Sequence, residues 1–432
     1  MSLRRKGFVR VGRDQLERVG LDRRQFLATA GLGYAGFAAR SPRYNPTLTP
    51  ECQELSLREY EPLSTVQTKV SELRAARYPA IDVHGHLGFV PDDLAGTRGD
   101  QLVRLMDQLN IRTIVNLTGT SGFPGIDPQG KASRPLIVAG IEKSLRLWDH
   151  KFPGRFLSFT RIQFGQYVME SWNVSWASNI RQGDPVLIKS GDFAAQAVSA
   201  LEKDVRAGAQ GLKLTKELGL AYRDWAGKLI AIDDPRLDPI WGKCGELGIP
   251  VAMHTADPKA FFLPFDGHNE RYEELLQHPE WRYAENPELP PFEVLLEQRE
   301  RVFARHPRTT FIALHFDEPN DLSRVGRMLD RFPNVHVEFG GRQMELGRQP
   351  YAARAFFLKY QDRILFGTDV DHWKPEMYRN FFRWLETEDD YFDHAIAPMG
   401  GRWKIYGLNL PDTVLRKIYS ENARRLLPGL AA

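Results

Sequence analysis

Four histidines each stand at the end of a short apolar run. His84 and His86 lie in "YPAIDVHGHLGF", His254 closes "IPVAMH" and His315 closes "TFIALH". A further run, "RILFGTD", ends in Asp369. One such histidine alone would be an ordinary hydrogen-bonded core residue, since a buried imidazole must satisfy both ring nitrogens. Five residues of this kind at equivalent positions point to one shared object. Neutral imidazole and carboxylate are normal ligands for Zn2+ and related divalent ions. Three histidines and one aspartate leave a position for water, which is a catalytic rather than a closed arrangement. His84 and His86, two residues apart, lie on one side of an extended chain and can address the same ion. Asp82 has the same parity and is a candidate to brace that pair or the fold.

Such a set needs elements that bring distant residues to one place. β-type runs recur at 80–84, 113–118, 156–162, 211–215, 249–254, 310–315, 334–339 and 363–369. Several are apolar throughout, as expected of parallel strands covered on both faces. Amphipathic stretches separate them, for example "RGDQLVRLMDQLN", "PFEVLLEQRERVFARHP" and "NDLSRVGRMLDRFP". Alternating strands and helices predict a (β/α)8 TIM barrel, with a doubly wound open sheet as the alternative. "LPDTVLRKIYSENARRLLPGL" predicts a C-terminal helix that closes the outer ring. A long excursion, 255–292, follows strand five, and its aromatic residues Phe261, Phe262, Phe265, Trp281 and Tyr283 can wall a substrate or pack a satellite core.

Barrel active sites form at the C-terminal ends of the strands. The candidates there are His84, His86, Lys213 on strand four, His254, His315, Glu338, Arg342 and Asp369. Arg342 is placed to grip a substrate carboxylate through its bidentate fork, or to cap its own loop. His372, in "TDVDHWKPEMY", belongs near the mouth if Asp369 does, as a further substrate-binding residue.

The motifs "IDVHGHLG", "VAMHTADP", "FIALHFD", "RILFGTDVD" and "LPDTVLRKIYSENARRLL" span roughly residues 78–428. Together they resemble the amidohydrolase superfamily. They are most similar to its amidohydrolase-related branch, which includes aminocarboxymuconate-semialdehyde decarboxylase and similar metal-dependent hydrolases. The resemblance implies that His84, His86, His254 and Asp369 hold one divalent ion, zinc in the first instance. His315 then handles protons instead of ligating. In two-metal relatives a carboxylated lysine on strand four bridges the ions, so Lys213 is a candidate bridge, a substrate-binding residue or a simple ion-pair partner. One ion is expected rather than two.

A bound divalent ion lowers the pKa of its water from 15.7 toward about 7. Asp369 can take a proton from such a water and His315 can protonate a leaving group. Hydrolysis of an amide, ester or lactone of a small carboxylated or aromatic substrate fits these groups. Non-oxidative decarboxylation is the second reading, and an exported binding protein without catalysis the third.

Composition narrows the setting. The 432 residues are 42% hydrophobic and 26% charged, an ordinary globular balance. The net charge of +3 is concentrated at the start: residues 1–39 hold eight basic and three acidic residues. The rest is close to neutral, which argues against nucleic acid as a partner. The paired Arg23 and Arg24 before a short Ala/Gly-rich apolar run resemble a twin-arginine export signal. That run is too short to span a bilayer. The expected organisation is an export signal over 1–39, a linker over 40–77 and a barrel over 78–432, acting in the periplasm or beyond without a lasting membrane anchor. The expected partner is a small-molecule substrate, and assembly into a homo-oligomer stays open. Cys52 and Cys244 are expected to be unlinked thiols.

Overall fold

In the computed structural model the described residues are 64–87, 92–117, 141–162, 193–222, 224, 228–370 and 374–430. The export-signal segment, Cys52 and His372 lie outside them. Thr68–Ala432 is one compact unit. Its first residues are tied down. Ser71 donates to Asp389 from both its backbone N and its hydroxyl, and the Arg77 amide donates to Glu386.

The apolar runs form strands because water is excluded from both of their faces. In chain order they are β1 (Ala80–Gly85), β2 (Ile111–Asn116), β3 (Phe156–Ser158, resumed at Thr160–Arg161), β4 (Leu212–Leu214), β5 (Val251–Met253), β6 (Phe311–Ala313), β7 (Val335–Glu338) and β8 (Ile364–Leu365). Each pairs in parallel with the next. β3 breaks where it passes from one neighbour to the other. The Phe159 amide bonds to the Asn116 carbonyl, and the Thr160 amide to the Gly211 carbonyl. Two backbone bonds close the ring. Val83 N donates to Phe366 O at 2.9 Å, and Asp369 N donates to His84 O at 3.0 Å. The chain is therefore a closed (β/α)8 barrel and not an open sheet.

Helices fill the crossovers: α1 (Asp92–Leu109), α2 (Ile141–Ser144), α3 (Phe193–Ala207), α4 (Asp238–Leu247), α5 (Phe292–Arg305), α6 (Leu322–Arg331) and α7 (Pro350–Lys359). α8 (Pro375–Glu386) follows β8. Asp321 caps α6 by accepting from Arg324 N, satisfying one of the helix's free amides. The excursion after β5 carries its own short helices, Lys259–Phe262 and Tyr272–Gln277 among them. Among the described residues no helix is long and apolar enough to cross a membrane. Cys244 is a free, buried thiol.

The C-terminal helix does more than close the outer ring. It runs through Asp412–Arg416, a widened turn at Lys417–Glu421, and Asn422–Leu426. At the wide turn the Ile418 carbonyl accepts from Phe366 N, a bond to the strand side of the fold. Ala423, Leu427 and Leu430 join Ile81, Val83, Val115, Leu157, Ala252, Ile312 and Leu365 in one cluster. Residues from six strands can meet in this way only inside the ring. Lys213 is the register partner of Ala252, so it faces that interior too.

Candidate metal centre at the barrel mouth

β1 is irregular where it matters. Its register against β2 shifts between Asp82 and Gly85, so the period-two argument that grouped Asp82 with His84 fails there. Asp82 turns toward the closure. It accepts from His84 N, from Thr368 N and Oγ1, and from the Tyr378 hydroxyl. The His84 ring turns to the mouth instead.

Three ligand-type atoms meet there. His84 Nε2 lies 3.5 Å from Asp369 Oδ1, and His86 Nε2 lies 3.2 Å from the same oxygen. Two ligands of a tetrahedral zinc ion, each about 2.0–2.1 Å from the metal, are about 3.3 Å apart. The separations match that edge length, so the donor set fits a divalent ion. The other nitrogen of His84, Nδ1, is 3.0 Å from Glu338 Oε1. A proton on Nδ1 directed at that carboxylate leaves the Nε2 lone pair facing the site.

His254 and His315 form a second group beside the first. His254 Nε2 lies 2.6 Å from Asp257 Oδ1, and its Nδ1 lies 3.2 Å from His315 Nε2. His315 Nδ1 is 2.7 Å from the Gly340 carbonyl, which can only accept. The Gly340 carbonyl fixes the His315 proton on Nδ1, so the His315 Nε2 lone pair faces His254 Nδ1, which can donate to it or share a cation with it. The His84 and His315 ring centroids are 4.9 Å apart, and those of His315 and His254 are 4.0 Å apart, so the two groups share one mouth.

Glu338 holds both groups in place. Besides His84 it accepts from His315 N at 2.7 Å and from Gly340 N at 2.6 Å. The close approach requires glycine at position 340. A Cβ there would stand 2.8 Å from both Glu338 Oε2 and His84 Nδ1. His315 and Asp369 do not extend their strands as the sequence suggests. Both have left-handed backbones, with φ of 59° and 53°. The bonds to Glu338 and to His84 O hold them in that costly conformation, which turns their side chains inward.

The protonation states suit a cation. Burial pushes His84 and His254 well below the ordinary histidine range, and His315 down to about 4. Burial alone would raise Asp369, but the His84 and His86 rings hold it well below the usual carboxylate range. Asp257 behaves alike: burial opposes ionisation, and the Arg342 guanidinium overrides it. Neutral imidazoles beside ionised carboxylates are the forms that bind metal. Burial lowers Lys213 to about 8, against the pull of the Asp369 and Glu338 carboxylates. Its ammonium makes no hydrogen bond or ion pair among the described residues.

Arg342 is occupied by the protein itself. Its Nε donates to Asp257 Oδ2 at 2.6 Å, Nη2 donates to the same oxygen, and Nη1 donates to the Gly341 carbonyl. Glu338 was visible in the sequence only as a strand-end carboxylate, and Asp257 only as a letter in "HTADP". A charged residue inside an apolar run, or just past one, was the available signal for both.

Residues 170–429 match the family model described as Amidohydrolase. Among solved structures the chain is similar to 2,6-dihydroxybenzoate decarboxylase from Rhizobium, with 20% identity over 82% of this chain and 98% of that one, at a TM-score of 0.47. It is also similar to an uncharacterised TIM-barrel protein from Bordetella bronchiseptica (16% identity, 82% and 99% covered, TM-score 0.44). A third is 4-oxalomesaconate hydratase from Rhodopseudomonas palustris (15% identity, 82% and 96% covered, TM-score 0.43). No curated protein matches the chain.

Proposed function

The chain belongs to the amidohydrolase family, and on that premise we propose that it is a metal-dependent hydrolase acting on an amide, ester or lactone of a small carboxylated or aromatic substrate. The observation that carries this reading is the pair of ligand separations, 3.2 and 3.5 Å, joining His86 and His84 to one oxygen of Asp369. These residues would hold the ion, zinc in the first instance, with His254 as the neighbouring donor. When bound, a divalent ion supplies a water acidified toward pKa ~7.

The chain's own groups then divide the proton work. Asp369 Oδ2, 3.9 Å from His315 Nδ1, is the atom that receives a proton. His315 enters neutral, so the proton it returns to a leaving group is first taken up at Nε2, from the nucleophilic water by way of Asp369. Glu338 keeps the His84 ring and the His315 backbone fixed while this happens.

Lys213 favours a second reading, non-oxidative decarboxylation. A buried ammonium with a pKa near 8 is an acid of useful strength, whereas neutral His315 is not. The deciding experiment is metal analysis of the purified protein, then an activity screen with and without chelator. Chelator-sensitive cleavage of amides, esters or lactones supports the first reading, and loss of CO2 from aromatic acids supports the second. A protein that takes up no divalent metal refutes both. Arg23 and Arg24 support export as the setting, which cell fractionation of full-length and Arg23→Lys/Arg24→Lys protein would test.

A further inference from the structure

Lys216 leaves β4 just past Lys213 and points into an aromatic surround. Its Nζ lies 5.4 Å from the Phe261 ring centroid, 5.3 Å from that of Trp281 and 5.8 Å from that of Tyr283. All three rings come from the excursion after β5. Phe261 and Trp281 are stacked, with centroids 5.4 Å apart and planes 20° from parallel. The cage tolerates a cation because ring faces are electron-rich. It does not give the ammonium an anion: Lys216 forms no ion pair among the described residues. The Asp257 and Glu217 carboxylates act on it only from a distance, and Asp257 is already bonded to Arg342.

Two more donors in the same cage are unmet. Trp281 Nε1 and Tyr283 Oη are both buried with no hydrogen-bond partner among the described residues. The Tyr283 hydroxyl sits beside the Lys216 ammonium without the geometry of a hydrogen bond. Leaving buried polar groups unpaired is costly, and structures rarely do so without a ligand or water to meet them. Lys216 and Trp281 can only donate, and the Tyr283 hydroxyl can do so too. Glu217 Oε2 is itself buried without a partner and bonds to none of these donors, so what is missing within their reach is an acceptor, and beside an ammonium it is an anionic one.

We propose that Lys216, Trp281 and Tyr283 form an anion subsite for a substrate carboxylate, with the stacked rings of Phe261 and Trp281 covering the planar, unsaturated body that bears it. The inference rests on the hydrolase reading only in assigning the cage and the His84–Asp369 group to one substrate. Asp257 links the two places, touching His254 on one side and acting on Lys216 on the other. The substrate class becomes a flat aromatic or conjugated acid, and uncharged analogues are poor ligands.

Benzoate and its neutral counterpart benzamide are suitable probes, titrated calorimetrically into full-length protein with zinc and again after chelator treatment. The wild type is expected to prefer benzoate by about tenfold or more, the scale of one charge-assisted contact. Lys216→Met should abolish that preference with zinc content unchanged, and Tyr283→Phe should reduce it. If Lys216→Met does not fold, Tyr283→Phe decides alone. Equal binding of the two probes by the wild type overturns the subsite. So does a preference that survives substitution, because benzoate is then held by the metal. Failure to take up zinc would sink the hydrolase reading, while the Lys216 dependence in chelator-treated protein is judged separately.

Discussion

His84 Nδ1 meets Glu338 Oε1 at 3.0 Å over the end of β8, although 254 residues separate them in the chain. The same carboxylate accepts from His315 N and Gly340 N. One buried acid thus orients the proposed ligand from β1 and holds the backbone of the proposed proton-handling residue after β6.

Glu338→Ala should weaken zinc binding about 10- to 100-fold, the usual consequence of removing a partner that orients a metal-bound histidine. Competition with a chromophoric chelator measures it. Unchanged affinity would mean that His84 is held by other contacts or is not a ligand.

His315→Asn tests how many ions the mouth holds. With one ion at His84, His86 and Asp369, the variant keeps its full metal content and loses activity about 100- to 10,000-fold. Loss of half the metal from a two-ion protein would make His315 a ligand, consistent with the lone pair it directs at His254. Lys213 would then be the candidate bridge, and a carbamate signal after labelling with 13C-bicarbonate would identify it.

Asp82→Ala should destabilise the barrel by about 3 kcal/mol or more, because it strips the acceptor from several buried donors at once. Asp82→Asn should lose less. Urea unfolding of both variants checks the order; a cost below about 1 kcal/mol for the alanine variant would show that the β1–β8 closure stands without this residue.

Asp149 carries a pH dependence. Burial raises its carboxyl from 3.8 to about 7, against the Ser158 hydroxyl and amide that donate to it. The folded state holds this proton more tightly than the unfolded chain does. Its contribution to stability is therefore fully present below about pH 4 and is lost as pH rises toward 7. Asp149→Asn imitates the protonated form. Its stability relative to wild type should climb between pH 4 and 7 and then level off in thermal melts. A flat difference across that window would contradict the assignment.

The strands were legible because parallel strands covered on both faces are mostly apolar, with few polar residues inside each run, and the strand-end histidines stood out against that background. The acid–imidazole chemistry of the mouth was legible for the same reason. Short-range periodicity could not reveal the register shift that parts Asp82 from His84, or the left-handed turns at His315 and Asp369. It also could not say that Arg342 belongs to Asp257, or that Lys216 rests among three rings of the excursion. Each of these is a relation between segments tens to hundreds of residues apart, chosen when the ring closes and buried charges must find partners. The amino-acid types determined which chemistry is available to this protein, and the closure of the barrel decided which atoms face one another.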